Sequence, residues 1–276
     1  MIDGKICSAL TETSSARCYI CKATPKEMNN IEHCLQKPTN QKSFEFGLSP
    51  LHAYIRFFEY FIHVSYKINI KKWQARTPEE KQEFENRKKN VQQEFRNRLG
   101  LHIDKPKPGG SGTSNDGNTA RIFFRNSTIS AEITSIPEEL ICRCSSILEA
   151  LNSGYQINVT KFRDYGIETA KKLVDTFPWY CLPASVHKIL LHGSEVISSC
   201  ILSIGELSEE AAEAKNKDIK KFRLNHTRKN SRVHTNLDLI NRLLLTSDPY
   251  ISGVRNLQRK NKSILSKDAR DLLVNE

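Results

Sequence analysis

The clearest pattern in the chain is a run of apolar residues at helical spacing between Leu51 and Ile70. Aromatic and aliphatic side chains recur there three or four positions apart, and this period predicts a mostly buried helix. In the next segment Thr77 stands where a helix cap is expected and Pro78 at the first helical position, and the two glutamates after them suit the positive helix end. This segment predicts a second helix that stops at Gly100 and is charged on all but one face.

Further helices are predicted where apolar residues keep the helical period and where caps, proline or glycine mark the ends. They lie at about 136–152, 159–177, 184–193, 208–227 and 237–245. Residues 1–50 are polar and irregular apart from a cysteine cluster, while residues 105–118 contain every turn-forming residue type and predict a loop. The sequence shows no repeat and no long run typical of a strand, so it predicts a mainly α-helical protein.

The composition adds a strong excess of positive charge to this picture. Lys and Arg number 42 against 31 Asp and Glu, which gives a net charge of +11 over 276 residues. Such an excess favours an acidic partner, most simply nucleic acid. The sequence has no stretch of about 18 uncharged apolar residues and no apolar signal core at its start, so we expect an intracellular protein without a membrane span.

Eight cysteines are present, and without a secretory signal they are better explained as thiols or metal ligands than as disulfides. Cys18 and Cys21 have the spacing of one half of a zinc site, because two thiolates two residues apart can converge on one tetrahedral ion. One candidate for the other half is local, since His33 and Cys34 follow closely.

The other candidate half is distant and consists of His187 and His192 on a predicted helix. Five residues turn an ideal helix through about 500°, so the two rings would point roughly 140° apart. Both rings could then reach one ion only if the helix ends or bends, and Gly193 predicts such an end. The spacing alone leaves the local and the distant pair open.

Three further features suit contact with nucleic acid. Asn118 and Arg121 lie in residues 115–121, which predict a Gly- and Asn-rich loop whose backbone can approach a phosphate and whose arginine can pair with it. Trp179 is either a core anchor or a platform on which a base can stack. A basic run covers several faces of the predicted helix that contains Glu213, which favours phosphate contact. The candidates in this run are Lys217, Lys220, Lys221 and Arg223.

Six segments, in this order along the chain, resemble the C-terminal part of the catalytic subunit of the V(D)J recombinase and of its relatives, the Transib transposases. Together they span nearly the whole chain and include two pairs of zinc ligands and a glutamate at matching separations. The segments are Cys18-Tyr19-Ile20-Cys21, His52 to Phe58, Lys72-Trp73-Gln74-Ala75, Gly117 to Arg121, Val186 to His192, and Ile204 to Arg223.

The resemblance implies an RNase H-like core interrupted by a mostly helical, zinc-containing insertion. Residues 1–15 would end the strand region of the core, residues 16–203 would form the insertion, and residues 204–276 would carry the catalytic glutamate helix and a C-terminal helical segment. Structural Zn²⁺ would be bound by Cys18, Cys21, His187 and His192.

The resemblance also implies a three-carboxylate site for two Mg²⁺ or Mn²⁺ ions, in which Asp3 and Glu213 would be the second and third carboxylates. Two such ions activate an attacking hydroxyl and stabilise the leaving oxygen during nicking and strand transfer. The first aspartate of the family has no counterpart in this sequence, so residues 1–276 alone are expected to lack nicking activity.

The partners implied by the resemblance are DNA and a second copy of the chain, in the nucleus. Two alternatives remain open at the level of sequence. The first is a transposon-derived protein that keeps the zinc fold and binds DNA or protein without catalysis. The second is a basic helical interaction protein with a local finger formed by Cys18, Cys21, His33 and Cys34.

Overall fold

Helices dominate the structure, a computed structural model that describes residues 4–106, 113–208, 210–248, 250–251 and 265–274, without the side chains of residues 4–5 and 210–214. The chain divides into two compact units, residues 1–208 with 265–276, and residues 209–264. The described residues contain isolated β-bridges but no extended strand. The predicted mainly α fold is therefore confirmed.

The helices of the described residues follow one another through both units, with one 3-10 helix near the start. They are α1 (Gly4–Leu10), α2 (Ile31–Gln36), the 3-10 helix (Gln41–Phe46), α3 (Pro50–Lys67), α4 (Pro78–Leu99), α5 (Gly117–Arg125), α6 (Ser127–Thr134), α7 (Glu138–Asn152), α8 (Val159–Thr176), α9 (Ala184–Ser199), α10 (Glu210–Asn225), α11 (Arg232–Ser247) and α12 (Lys267–Asp271).

Helix α3 lies at the centre of the first unit, as its apolar period predicts. Phe57, Phe58 and Phe61 are fully buried, and the ring of Phe58 meets the edge of Phe123 on α5 with 5.3 Å between centroids. Burial of each such side chain contributes about 1.5–3 kcal/mol. The helix is thus fixed by aromatic packing along its length.

Helix α4 has the ends that the sequence predicts. The hydroxyl of Thr77 accepts a hydrogen bond from the Glu80 N–H, and the Glu80 carboxylate accepts one from the Thr77 N–H, which makes a full capping box. Gly100 ends the helix in the left-handed conformation with φ of 67°. Val91 and Phe95 are buried on its single apolar face.

The segment with Asn118 and Arg121 was predicted to be a loop, and this prediction is wrong. Residues 117–125 form helix α5, whose first turn is capped by the Asp116 carboxylate through a 2.8 Å hydrogen bond from the Thr119 N–H. Phe123 and Phe124 are buried on one face of α5, so tertiary packing and the cap together outweigh the Gly and Asn content.

The prediction that a helix ends at Gly193 is also wrong. Helix α9 continues to Ser199. A Cβ atom added to Gly193 would lie 2.8 Å from the Phe162 ring of α8, and one added to Gly166 of α8 would lie 2.6 Å from the Leu190 carbonyl oxygen. Gly193 is therefore required by close packing between α8 and α9 rather than by helix termination.

Both ends of the first unit contain short elements that the sequence pattern did not reveal. Gly4–Leu10, within the region expected to end a strand region, form helix α1. At the other end, the Leu272 carbonyl accepts a 2.9 Å hydrogen bond from the Asn158 N–H, and Leu273 pairs with Ile157 in a β-bridge. The C-terminal segment thus packs on the start of α8.

The second unit contains two antiparallel helices, α10 and α11. Their far ends are joined by a 2.9 Å hydrogen bond from Lys215 Nζ to the Thr246 hydroxyl. Near the connection, the guanidinium of Arg228 donates to both carboxylate oxygens of Asp238, at 2.8 and 3.0 Å. No described residue of α11 is buried.

A membrane-spanning segment was not expected. Among the described helices, none combines the length and the apolar character needed to cross a bilayer.

Candidate metal centre

Two cysteines and two histidines from opposite parts of the first unit meet at one buried point. The ligand atoms of Cys18, Cys21, His187 and His192 all lie within 4.8 Å of one another. In a tetrahedral zinc site with these donors, ligand atoms are separated by about 3.3–3.8 Å, as follows from Zn–S and Zn–N bond lengths. The distance of 3.4 Å between Cys21 Sγ and His187 Nε2 already meets this requirement.

The cysteine half of the centre lies on a tight turn before α2. The Lys22 N–H donates to the Cys18 carbonyl at 2.8 Å, and the Cys18 N–H donates to the Ala23 carbonyl at 3.1 Å. Lys22 adopts a positive φ of 60°, which closes the turn. Both thiols are thereby held toward the protein interior, where each cysteine is only 2% exposed.

The histidine half lies on the continuous helix α9, so no helix end is needed to bring the rings together. The His187 and His192 ring centroids are 5.4 Å apart with the rings edge to face. The rings meet although an ideal helix directs the two positions roughly 140° apart, so the side chains turn toward each other. Helix α8 and the glycine contacts described above hold α9 in place behind the rings.

Unpaired polar atoms in this cluster indicate where a metal would bind. His192 Nε2 is buried and has no hydrogen-bond partner among the described residues. Its other ring nitrogen, Nδ1, lies 3.0 Å from a carboxylate oxygen of Glu195. An ionised carboxylate only accepts, so Nδ1 keeps its hydrogen, and Nε2 is the nitrogen that offers its lone pair to a metal once the ring is neutral.

The environment also favours the anionic form of one thiol. A hydrogen bond from Cys21, opposed by burial and assisted by the N–H groups of Cys21 and Ile20, lowers the pKa of Cys18 to about 7. The same hydrogen bond to Cys18, together with burial, raises the pKa of Cys21. Zinc binds thiolates, so the pair is already prepared to lose one proton before a metal arrives.

The protonation of His192 depends on the same neighbours. Burial lowers the pKa of His192, but the neighbouring Cys21 thiol and the Glu195 carboxylate outweigh it and raise this pKa to about 9. A bound cation in place of that proton would satisfy the same acceptors. The donor set of two thiols and two imidazoles, from four buried residues, is compatible with structural Zn²⁺.

The local alternative for the second half of the site is not assembled. His33 is half-exposed and lies 3.6 Å from the carboxylate of Glu27. The thiol of Cys34 donates to the Glu27 carbonyl at 3.3 Å, and burial raises its pKa to about 11. Among the described residues, the metal-ligand cluster contains the distant histidines and neither of these two.

The expected magnesium ligands cannot be placed in the same way. Asp3 lies outside the described residues. Glu213 is part of helix α10, but its side chain also lies outside the described atoms. The assignment of these two carboxylates to a Mg²⁺ site stays a prediction.

The expected DNA-contacting residues have different surroundings. Asn118 is exposed at the start of α5, while the guanidinium of Arg121 lies 5.1 Å from the centroid of the Tyr54 ring. Trp179 is half-buried and packs edge-on against Phe177 and Tyr180. The basic run forms an exposed set on α10, namely Lys217, Lys220, Lys221 and Arg223.

Sequence reasoning missed Glu195 as a partner of the metal centre. Its signal was present, because a carboxylate three residues after His192 lies on the same side of a helix. The spacing of His192 and Glu195 has this meaning only if both residues lie on one helix. The predicted helix end at Gly193 separated them, and the structure shows that α9 continues to Ser199.

The fold and this centre define a mainly helical protein with a candidate Cys2His2 metal site. No protein-family model matches the chain, and comparison with curated proteins gave no match.

Proposed function

We propose that this chain is the C-terminal part of a DNA transposase or recombinase of the Transib type, whose zinc-containing helical insertion interrupts an RNase H-like core. The observation that carries the proposal is the meeting of Cys18 and Cys21 with His187 and His192 in one buried cluster. The motif resemblance implied this long-range pairing. A local zinc finger with His33 and Cys34 would leave His187 and His192 without a reason to lie beside the cysteines.

The exposed basic run on α10 supports DNA as the partner. Lysine and arginine side chains neutralise backbone phosphates and release counterions, so binding falls steeply with salt concentration. Four positive charges, with Asp218 among them, lie within seven residues of one helix, on the same element as Glu213. A catalytic carboxylate on this helix would therefore be close in sequence to groups that hold the phosphate backbone.

DNA binding is tested by replacing Lys217, Lys220, Lys221 and Arg223 together with glutamine, which keeps helix propensity. We expect the slope of log affinity against log salt for a short DNA duplex to decrease by about 3 to 4, because each phosphate contact contributes about 0.9. Fluorescence anisotropy with labelled duplex at several salt concentrations measures it.

A matched control removes the same number of exposed charges elsewhere, at Lys26, Lys42, Lys161 and Arg163. An equal decrease in slope for the control would mean that binding is spread over the basic surface and not centred on α10. Absence of measurable binding by the unchanged protein at low salt would exclude the DNA proposal.

Catalysis requires a further test, because the first carboxylate of the family is not found in residues 1–276. We expect this chain alone to give no Mg²⁺-dependent nicking of supercoiled plasmid. If the chain is extended by the coding sequence that precedes residue 1, we expect nicking that is lost in Glu213→Gln.

Two outcomes would contradict the catalytic proposal. The first is nicking by the extended protein that survives Glu213→Gln. The second is DNA binding without any nicking by an extended protein that contains a further upstream aspartate, which would favour the non-catalytic, zinc-stabilised alternative.

A further inference from the structure

A cavity of about 580 Å³ lies in the first unit beside the candidate metal centre, on the side of the N-terminal ends of α3 and α9. This volume is within the range of about 300–1,000 Å³ that small-molecule sites occupy. None of the residues expected to contact DNA lines it. The cavity therefore represents a feature that the proposed function does not use.

Positive charge predominates on the cavity wall. The wall contains the cationic side chains of Arg17, Arg56 and Lys188, against one carboxylate, that of Glu59. The Arg56 guanidinium donates to Glu59 at 2.7 Å, which uses one of its five N–H donors. The balance of charge at the wall favours an anionic ligand.

The guanidinium of Arg17 is available to bind an anionic ligand. It is exposed, and its guanidinium forms no hydrogen bond or ion pair with any described residue. Its position is nevertheless defined, because the Arg17 N–H donates to the Ser14 carbonyl at 2.9 Å and the buried Cys18 follows directly. A guanidinium in this position can bind a phosphate through two parallel hydrogen bonds.

The N-terminal ends of two helices add to the positive electrostatic potential of the cavity. Ser49 caps α3, and Pro183 precedes the first turn of α9, which has no side-chain cap. Both residues line the cavity. Helix N-termini carry partial positive charge and N–H groups without helical partners, so these two ends add to the attraction that the arginines would exert on an anion.

An aromatic surface forms another part of the wall. Trp73 lines the cavity and is 44% exposed, although its ring centroid lies 4.7 Å from that of Tyr180. The ammonium group of Lys67 lies 5.1 Å from both ring centroids and donates to the Trp73 carbonyl at 2.7 Å. The indole is thus held in place while part of it stays accessible, as a stacking surface for a planar ring requires.

We infer that this cavity binds one nucleoside monophosphate unit, with the phosphate at Arg17 and Arg56 and the base against Trp73. The ligand class follows from the combination, because phosphate alone would not need the aromatic wall and a neutral aromatic ligand would not need the arginines. The unit can be a free nucleotide or one nucleotide of a DNA strand. The inference needs only the first unit and holds whether or not the chain is a recombinase.

The chain allows a site-specific measurement, since it contains only two tryptophans. In Trp179→Phe the tryptophan fluorescence, excited selectively over that of the tyrosines, comes from Trp73 alone. We expect thymidine 5′-monophosphate to quench this fluorescence in a saturable way, and Arg17→Ala in the same background to weaken the affinity roughly tenfold, as loss of a charge-assisted contact predicts. Arg163→Ala, another exposed arginine that does not line the cavity, serves as the matched control and should stay within about twofold.

Competition against radiolabelled thymidine 5′-monophosphate identifies which part of the ligand is bound and where it comes from. Inorganic phosphate and thymidine should each displace the nucleotide much less effectively than unlabelled nucleotide does. A short thymidine oligonucleotide that displaces the nucleotide, and that loses affinity in Arg17→Ala, would assign the site to a DNA strand. An oligonucleotide that does not displace it would assign the site to free nucleotides.

Three results would overturn the inference: no saturable quenching at millimolar nucleotide, equal affinity for inorganic phosphate and nucleotide, or equal losses in Arg17→Ala and Arg163→Ala. Thermal melting of each variant shows that it is folded. Because the Arg17 side chain is exposed and makes no hydrogen bond or ion pair within the described part of the chain, little change in melting temperature is expected for Arg17→Ala.

Discussion

At the scale of single residues, the hydrogen bond between Glu195 and His192 has the greatest influence on the metal centre. In the neutral ring it selects the tautomer in which Nε2 carries a lone pair, and it fixes the ring orientation in a buried position where no other described residue bonds to Nδ1. His187 is different, since its Nδ1 is buried without a partner among the described residues. Of the two histidines, only His192 therefore has the orientation of its ring fixed by a hydrogen bond at Nδ1 within the described residues.

Glu195→Ala is expected to lower zinc affinity about 10- to 100-fold, the usual effect of losing a carboxylate behind a ligating histidine. Glu195→Gln should lose less, because its amide oxygen can still accept from Nδ1–H. Competition with a chromogenic chelator measures both. Glu85→Ala, at an exposed glutamate on α4, should leave the affinity unchanged. Equal affinities for Glu195→Ala and Glu85→Ala would show that the hydrogen bond does not act on the metal.

At the scale of elements, the packing of α8 against α9 positions the histidine pair. Gly166 allows the α8 backbone to approach the Leu190 carbonyl, and Leu190 lies between the two histidines on α9. The distance of 2.6 Å that an added Cβ would have to that oxygen cannot be relieved by a side-chain rotation. The helices would have to move apart, and the histidine half of the site with them.

Gly166→Ala is therefore expected to destabilise the protein by about 1–3 kcal/mol, the cost of overpacking, although alanine favours a helix more than glycine does. Chemical denaturation measures this change. Asp164→Ala, at an exposed position of the same helix, should stay within about 0.5 kcal/mol. A stabilised Gly166→Ala protein would show that the two helices are not in close contact.

At the scale of the whole molecule, the metal centre joins segments that are far apart in sequence. Cys21 and His187 are separated by 166 residues, and between them lies most of the first unit. A bound ion would hold these segments together in the folded state only. Its binding free energy is then added to the stability of the entire unit.

Removal of zinc with a strong chelator is expected to lower the melting temperature. At free zinc a thousandfold above its dissociation constant the stabilisation amounts to about 4 kcal/mol. Metal analysis should find one zinc per chain, and the double variant His187→Ala with His192→Ala should lose it. The double variant His33→Ala with Cys34→Ala should keep it. The opposite result for these two pairs would establish the local finger instead.

Much of the fold follows from local sequence rules. Thr77, Glu80 and Gly100 define both ends of α4 through contacts within a few residues, and Asn158 caps α8 through a hydrogen bond from the Lys161 N–H. The helical period from Leu51 onward likewise predicts α3. The wrong predictions also come from local rules. The Gly and Asn residues before Arg121 predict a loop, and Gly193 predicts a helix end, but packing against neighbouring helices overrides both.

The sequence by itself determined the helical character of this protein, its positive charge, and a pair of cysteines with two candidate pairs that could complete a zinc site. Only the tertiary structure decided that the distant histidines, and not the nearby His33 and Cys34, complete the pair of cysteines. It also decided that the rings converge on an unbroken helix and that Glu195 supports one of them. The physical reason is that capping and periodicity act over one or two helical turns, whereas a contact across 166 residues depends on how whole helices pack.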